Sequence, residues 1–224
     1  MRYFAAALFG LSFCGSVSCA PFQNGSFELG GSPCNTFNIP AGSTVITGWT
    51  VSIGNIDWEG APVPACGWQA SNGNNSLDLV GTGGIGGIQQ TFDTVPGTTY
   101  QVSFDLAGNY GAPPVIKPLA VTVNGATTTY TFDTTGRSFN NMGWTTHTLT
   151  FVAATTSSTI NFVSDVTASG GTLNAGAALD NVQIAAAGAG VSTPVPLSWT
   201  HWGAALLIAL VALGLLARRK TVST

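Results

Sequence analysis

The sequence is poor in charge, and above all in positive charge. Only 7% of the 224 residues are Asp, Glu, Lys or Arg. All nine acidic residues lie between Glu28 and Asp180, where Lys117 and Arg137 are the only Lys or Arg residues. Nine negative charges against two positive ones leave this body at −7. Such a surface repels phosphate backbones, which argues against a nucleic-acid partner, whereas cations suit it.

A sustained helical stripe is also missing. Residues 21–187 are dominated by Gly, Ser, Thr and Asn, and apolar side chains alternate with polar ones, as in Tyr100, Val102, Phe104 and Leu106. This period of two is typical of strands. About ten strands separated by turn signals favour an all-β sandwich of the jelly-roll type. The predicted strands are 27–29, 48–53, 55–58, 77–80, 87–92, 99–107, 119–123, 128–132, 147–152, 159–163 and 179–184.

The stretch of residues 71–109 is predicted to organise the body. We expect its three strand patterns to be neighbouring antiparallel strands at the centre of the sandwich. The glycine run 81–87 has no following Lys-Ser or Lys-Thr, so it predicts a sheet connection rather than a phosphate cradle. Asn124-Gly125 predicts a two-residue hairpin turn.

Cysteine is scarce, and long hydrophobic runs occur only at the two ends. A positive start followed by the apolar run from Phe4 to Phe13 predicts a signal peptide over residues 1–20. A lipoprotein cleaved before Cys19 is the alternative. Cys34 and Cys66 then remain as an even pair in an oxidising compartment, which predicts a disulfide, with two free thiols as the alternative.

The C-terminal run from Trp202 to Ala217 is uncharged and is followed by Arg218-Arg219-Lys220. This pattern predicts a transmembrane helix within residues 197–220, with the basic cluster in the cytoplasm and the body outside. A buried core helix is the alternative. Residues 188–196 contain Pro194 and Pro196 and form the predicted linker.

Two candidate sites follow from the residue types. Trp58, Trp68 and Tyr110 lie near predicted loops, where aromatic faces stack on sugar rings, and Asn109 supplies a hydrogen-bonding partner. The alternative is core packing for the tryptophans and turn formation for the asparagine. Terminal strands of a jelly roll lie side by side, so Glu28 and Asp180 are predicted to bind Ca²⁺, with two separate surface carboxylates as the alternative.

The residues argue against an enzyme. Asp57 and Glu59 lie two apart in one strand, whereas paired acid–base carboxylates normally face each other across a cleft. His147 is the only histidine of the body, shares its parity with Leu149 and Phe151, and is predicted to lie beside the core. No nucleophile-elbow pattern accompanies it.

Eight motifs in order resemble the choice-of-anchor C family, the bacterial relatives of a plant cell-wall domain of unknown function. They are Asn24-Gly25-Ser26-Phe27-Glu28, Gly48-Trp49, Ile56-Asp57-Trp58, Asn75-Ser76-Leu77-Asp78-Leu79, Gly87-Ile88-Gln89-Gln90-Thr91-Phe92, Leu106-Ala107-Gly108-Asn109, Met142-Gly143-Trp144 and Ala178-Leu179-Asp180-Asn181-Val182. The resemblance implies a galactose-binding-like jelly roll, similar to several carbohydrate-binding modules, in which a structural calcium often sits where Glu28 and Asp180 fall. It implies no enzymatic activity.

The tail resembles bacterial C-terminal sorting signals of the Ile-Pro-Thr-Leu type. Val195-Pro196-Leu197-Ser198 matches in part, since the Thr is missing. Together these features predict an exported, surface-anchored, non-catalytic protein that binds a polysaccharide or the extracellular matrix, with a sorting protease or transpeptidase as a further partner. The alternatives are a structural adhesion protein without a small ligand and, more remotely, a glycoside hydrolase.

Overall fold

The computed structural model describes residues 20–31, 36–60, 63, 65–169 and 174–187. The predicted signal peptide, linker and C-terminal hydrophobic run lie outside these residues, apart from Ala20. No helix of the described part is long and apolar enough to cross a membrane. The strands are β1 (Thr36–Pro40), β2 (Thr50–Glu59), β3 (Ser76–Asp78), β4 (Ile85–Asp93), β5 (Thr99–Gly108), β6 (Ile116–Val123), β7 (Ala126–Asp133), β8 (Thr145–Val152), β9 (Ser157–Asp165) and β10 (Ala177–Ala186).

The strands form two antiparallel layers that share β2. The six-stranded sheet has the order β1-β2-β3-β10-β5-β8, and the five-stranded sheet has the order β2-β4-β9-β6-β7. The first half of β2 pairs with β4, and its second half pairs with β1 and β3. Gly54 lies between the halves with φ +57°, a conformation that favours glycine, and lets the strand turn from one sheet into the other.

One hydrophobic core fills the space between the two sheets. Along β6 the buried side chains alternate, with Leu119, Val121 and Val123 pointing inward. The Phe104 ring of β5 meets the Phe162 ring of β9 edge-on, with centroids 5.4 Å apart. The predicted all-β sandwich is therefore confirmed.

Most of the predicted strands are present, and the predicted hairpin turn is confirmed. Val123 pairs with Ala126, and Asn124 and Gly125 between them have φ values of +48° and +88°. The prediction of a strand at residues 27–29 is wrong. Phe27 has φ +57° and is fully buried, in a segment that runs beside β10 and accepts a 2.9 Å hydrogen bond from Val182 N–H at the Gly25 carbonyl. Strand β1 was not predicted.

The predicted adjacency of the three strands in residues 71–109 is also wrong. β3 pairs with β2 and β10, and β4 pairs with β2 and β9 in the other sheet. Gly83 and Gly84, with φ +91° and +81°, lie in the connection that carries the chain from one sheet to the other. The glycine run is thus a sheet connection, as predicted, but it joins different layers.

Candidate functional site

Five of the nine acidic side chains lie on the outer face of the six-stranded sheet, which we call the carboxylate face. They are Asp57, Glu59, Asp78, Asp105 and Asp180. The register pairs Asp57 with Asp78 and Asp105 with Asp180, and directly paired residues share a face. Ala178 pairs with Asp78 and lies two residues from Asp180, which joins the two pairs into one array. Asp57 and Glu59 lie two residues apart in β2 and therefore share this face.

Two loops cover this array. The loop before β3 is attached to the sheet because Ser71 N–H and Asn72 N–H each donate a 2.8 Å hydrogen bond to Asp180 Oδ2. The loop between β7 and β8 reaches over from the other side, where Trp144 Nε1–H donates to the Gln69 carbonyl at 2.9 Å. Phe139 O accepts a 2.8 Å hydrogen bond from Gln69 N–H. The covering loops therefore hold each other as well as the sheet.

Burial dominates the electrostatics of the covered carboxyls. It raises the pKa of Glu59 to about 8, with Asp78 and Asp57 adding like-charge repulsion. Burial also raises the pKa of Asp78 to about 7, against hydrogen bonds from Asn109, Val80 and Gly176. The pKa of Asp180 rises to about 7 for the same reason, despite three N–H donors. These three carboxyls are therefore largely or partly protonated near neutral pH.

Asp105 behaves differently from its neighbours. Burial acts to raise its pKa, but hydrogen bonds from Ser71, Thr146 and Asn181, together with nearby His147, hold the pKa below its usual range. Thr146 Oγ1 donates at 2.6 Å and Asn181 Nδ2 at 2.9 Å. Asp105 thus stays ionised at neutral pH.

Glu59 has no hydrogen-bond donor for its carboxyl among the described residues, and it is 7% exposed. A buried ionised carboxylate without a donor is strongly unfavourable. Because its pKa is raised, the Glu59 carboxyl keeps its proton near neutral pH and is uncharged.

The two predicted sugar-stacking tryptophans are core residues. Trp58 is fully buried, and its Nε1–H donates to the Phe27 carbonyl at 3.1 Å. Trp68 is 5% exposed, and its Nε1–H donates to Ser76 Oγ at 2.9 Å. A ring without an accessible face cannot stack on a sugar from solvent, so core packing, the alternative that the sequence left open, replaces the prediction for both rings.

The other two predicted sugar-binding residues lie next to each other after β5. Asn109 Nδ2 donates to Asp78 Oδ2 at 2.7 Å, and its Oδ1 accepts from Gly111 N–H at 2.8 Å. Tyr110 is half-buried against the core. The four predicted residues therefore do not form a common platform, and a role for Tyr110 in sugar binding stays a prediction.

Trp144 is a better-placed aromatic that sequence reasoning did not select. It is half-buried, and its hydrogen bond to Gln69 fixes the orientation of the indole. It directly precedes β8 and lies two residues before Thr146, so it continues the outer face on which Thr146, Asp105 and Asn181 meet. We call these four residues the Trp144 shelf. The available signal was the Gly143-Trp144 pair in front of an alternating strand.

Glu28 and Asp180 both accept hydrogen bonds from the loop before β3. Glu28 Oε1 accepts from Asn74 N–H and Asn75 N–H at 2.8 and 2.9 Å, while Asp180 accepts from Ser71 and Asn72. These donors occupy positions where Ca²⁺ needs oxygens. The described residues also contain no group of three or more His, Cys, Asp or Glu side chains arranged for a metal. The donor set does not fit calcium, and calcium binding stays a prediction.

The remaining candidates are His147 and the pair Cys34 and Cys66. His147 stacks on Phe104 with ring centroids 5.7 Å apart, so its predicted place beside the core is confirmed. Thr145 Oγ1 lies 3.1 Å from His147 Nε2. Cys66 is buried, and Cys34 lies outside the described residues, so their disulfide stays a prediction.

Three solved structures of carbohydrate-binding modules are similar in fold. A family 61 module in complex with beta-1,4-galactotriose has a TM-score of 0.47 and 16% identity, covering 75% of this chain and 99% of the module. A family 35 module from Clostridium thermocellum has a TM-score of 0.41 and 16% identity, with 62% and 92% covered. The CBM22-1 xylan-binding domain from Paenibacillus barcinonensis Xyn10C has a TM-score of 0.42 and 18% identity, with 67% and 91% covered.

Sequence comparison assigns the family. Halomucin from Haloquadratum walsbyi is 32% identical over 201 residues, which are 84% of this chain, although the chain spans only 2% of halomucin. The family described as "Protein of unknown function (DUF642)" matches residues 20–185. This match covers nearly all of the folded body, and the chain belongs to the DUF642 family.

Proposed function

We propose that the protein is an exported, non-catalytic module that binds carbohydrate on the Trp144 shelf. One observation carries the proposal. Trp144 is a partly exposed aromatic ring of fixed orientation on the same sheet face as the exposed hydroxyl of Thr146 and the half-buried amide of Asn181, which both donate to the buried Asp105 carboxylate. An aromatic face packs against the apolar face of a sugar ring, and the neighbouring polar groups hydrogen-bond its hydroxyls.

The shelf is preorganised for such a ligand. Asp105 is held by three side-chain donors, and the Trp144 indole is held by Gln69, so binding does not have to order these groups. Preorganisation lowers the entropic cost of association. Beta-1,4-galactotriose and xylan, named for two of the similar structures, are the first ligands to test.

The test is calorimetric titration of the full chain, in a non-ionic detergent, after a glycan-array screen. We expect Trp144→Ala to abolish binding and Trp144→Phe to retain part of it, because the ring remains while the Gln69 hydrogen bond is lost. Tyr100→Ala is the matched control, since Tyr100 is a half-buried ring at the opposite end of β5. Unchanged affinity in Trp144→Ala would remove the shelf from the proposal.

A structural adhesion protein without a small ligand is the second candidate. The outer face of the five-stranded sheet favours it, because a row of polar side chains crosses all five strands and no loop in the described part of the chain hydrogen-bonds to this row. The row consists of Thr127, Thr122, Asn161, Gln89 and Thr50. Self-association or attachment to whole cells with no response on the glycan array would support this candidate over the first.

The absence of hydrolase activity is part of the proposal. The buried position of Glu59 and Asp78 supports it, since neither carboxyl is accessible to a glycosidic bond in this conformation. Turnover of a glycoside that disappears in Glu59→Gln or Asp57→Asn would contradict it. Release of reducing ends is the measurement.

Export, anchoring and the disulfide are proposals that rest on the sequence. A reporter fused after Thr224 should be active in the cytoplasm, with the body on the other side of the membrane, and mature protein cut near Val195-Pro196 would support processing. Non-reducing mass spectrometry should find the Cys34 and Cys66 peptides linked. A bridge of this loop length is worth about 3–4 kcal/mol. Free thiols at both positions would contradict the proposed disulfide.

A further inference from the structure

We propose that Arg137 extends the Trp144 shelf into a site for glycan chains in which an isolated sugar carries a carboxylate. This inference rests on the proposed carbohydrate function and names the class of ligand for that site. The carboxylate pairs with the Arg137 guanidinium, while a neighbouring sugar of the same chain stacks on Trp144.

Arg137 is the cation of the body that a ligand can reach. Lys117 is the other Lys or Arg in residues 21–187, and it is fully buried, with Nζ donating to two backbone carbonyls at 2.7 and 2.9 Å. Arg137 is half-buried. Its Nε has no hydrogen-bond partner in the described part of the chain, and Asp133 interacts with its charge. The guanidinium therefore keeps N–H donors that the described residues do not use.

The guanidinium lies against the backbone next to Trp144. Arg137, Gly143 and Trp144 all belong to the segment between β7 and β8. Gly143 has φ +69°, and a Cβ at this position would collide with Nη1 and Cζ of Arg137. The space that a glycine leaves is thus filled by the cation. Because the sugars of one chain are linked, a chain that stacks on Trp144 brings its next residues towards this cation.

The segment fixes Arg137 before a ligand binds. Ser138 and Asn141 exchange backbone hydrogen bonds of 3.2 and 2.9 Å in the turn that follows Arg137. Arg137 N–H donates to the Thr134 carbonyl at 3.0 Å, and the guanidinium carbon lies 5.6 Å from the centre of the Phe132 ring. This cation–π contact orients the side chain without occupying its donors. Such preorganisation lowers the cost of binding.

The charges of the molecule define the kind of anion. A guanidinium donates two parallel N–H bonds to a planar carboxylate, which gives the pair both strength and orientation. The net charge of −7 over the rest of the body repels a ligand that carries a carboxylate on every sugar. A mostly neutral chain with one uronic acid satisfies both conditions.

The experiment is calorimetric titration of the full chain at neutral pH, where sugar carboxylates are ionised. The probes are xylotetraose with one glucuronic acid branch, the same oligosaccharide after reduction of its carboxyl to an alcohol, and tetragalacturonate. At ~20 mM salt we expect the acidic branch to bind about fivefold tighter than its reduced form, the magnitude of one favourable exposed charge pair. The ratio should fall towards one at ~500 mM salt, because salt screens exposed charges. Tetragalacturonate should bind more weakly than the branched oligosaccharide.

Variants assign the preference to Arg137. Arg137→Gln should remove the preference and leave the affinity for the reduced oligosaccharide unchanged, whereas Arg137→Lys should keep part of it, because the charge remains and the planar fork is lost. Asp133→Asn removes a competing negative charge and should strengthen the preference. Asp165→Asn is the matched control, an exposed carboxylate at the end of β9, and should change nothing. A preference that survives Arg137→Gln would overturn the inference.

The remaining outcomes distinguish this inference from the proposed function. Equal affinity for the acidic and reduced oligosaccharides at low salt would overturn the inference and leave carbohydrate binding intact, as would tighter binding of tetragalacturonate or of a monosulfated xylotetraose. If the glycan array favours another neutral backbone, its uronate-bearing and carboxyl-reduced forms replace the xylose probes. If the array is silent and no probe binds, the proposed function itself fails. The comparison of acidic and reduced forms needs no variant, so the test stands even if Arg137→Gln is poorly folded.

Discussion

The outer faces of the two sheets differ in what covers them and in what they carry. The six-stranded sheet presents five carboxyls under two loops, whereas the five-stranded sheet presents an open row of hydroxyl and amide side chains. On the open face these groups satisfy one another, as in the 2.8 Å contact between Thr122 and Thr127. On the covered face Asp180 accepts hydrogen bonds from loop N–H groups, whereas the Glu59 carboxyl has no donor among the described residues.

This difference has an energetic consequence. Polar groups on an open face exchange hydrogen bonds with water, so each contributes little to stability. Under the loops water cannot replace a lost hydrogen-bond partner. The loss of a donor, an acceptor or a proton there therefore changes the stability more strongly. The covered face should therefore respond strongly to pH and to mutation, and the open face should respond weakly.

The largest expected effect is a loss of stability as pH rises. The folded pKa of Glu59 lies at about 8, above its ordinary value of 4.5, so the folded state binds the proton more tightly than the unfolded state. The stabilisation is complete below about pH 4.5 and is lost as pH rises to about 8. Each tenfold difference in proton affinity is worth about 1.4 kcal/mol. Deprotonation of Glu59 alone should therefore lower the free energy of unfolding by on the order of several kcal/mol.

Urea denaturation across this pH range measures the effect. Glu59→Gln should reduce the dependence of the unfolding free energy on pH, because the Gln side chain does not ionise. Asp165→Asn should leave it unchanged, since the Thr167 hydrogen bonds lower the pKa of that exposed carboxyl. Stability that rises with pH across the same window would contradict the proposed protonation of the covered face.

A smaller effect is expected from direct truncation on each face. Asp180→Ala leaves the N–H groups of Ser71 and Asn72 without acceptors under the loop, and we expect a loss of about 3 kcal/mol. Asn161→Ala removes a 2.7 Å hydrogen bond with Ser52 on the open face and should cost about 0.5 kcal/mol or less. Denaturant midpoints at one pH compare the two. Similar losses would remove the contrast between the faces.

The smallest expected effect is that of a chelator on the melting temperature. Because N–H donors already surround Glu28 and Asp180, we expect no change in the full chain. Bound calcium at a hundredfold excess over its dissociation constant would instead be worth about 2.7 kcal/mol, a shift of several degrees. A melting temperature that falls with the chelator, recovers with added calcium and no longer responds in Glu28→Gln would support the predicted calcium site.

Local pattern was a sound guide to the strands and a poor one to the site. Alternation marked β5, β6 and β9, and Asn124-Gly125 marked the hairpin, because these signals depend on neighbouring residues alone. Trp58 and Trp68 lie beside loops in the sequence, and only the way the loops fold over the sheet buries them. The Gly143-Trp144 pair in front of an alternating strand marked Trp144 only weakly, and the hydrogen bond to Gln69 that orients its ring forms only in the tertiary structure.

The sequence by itself determined the all-β class, most strand positions and the acidic body with two basic residues. These properties follow from side-chain periodicity and composition, which are local. The tertiary structure decided that β3, β4 and β5 are not neighbours, that five carboxyls share one face, and that Glu28 and Asp180 bind a loop through N–H groups. Strand pairing and register join residues far apart in the chain, and the stability of such a pairing depends on all the groups that it buries together.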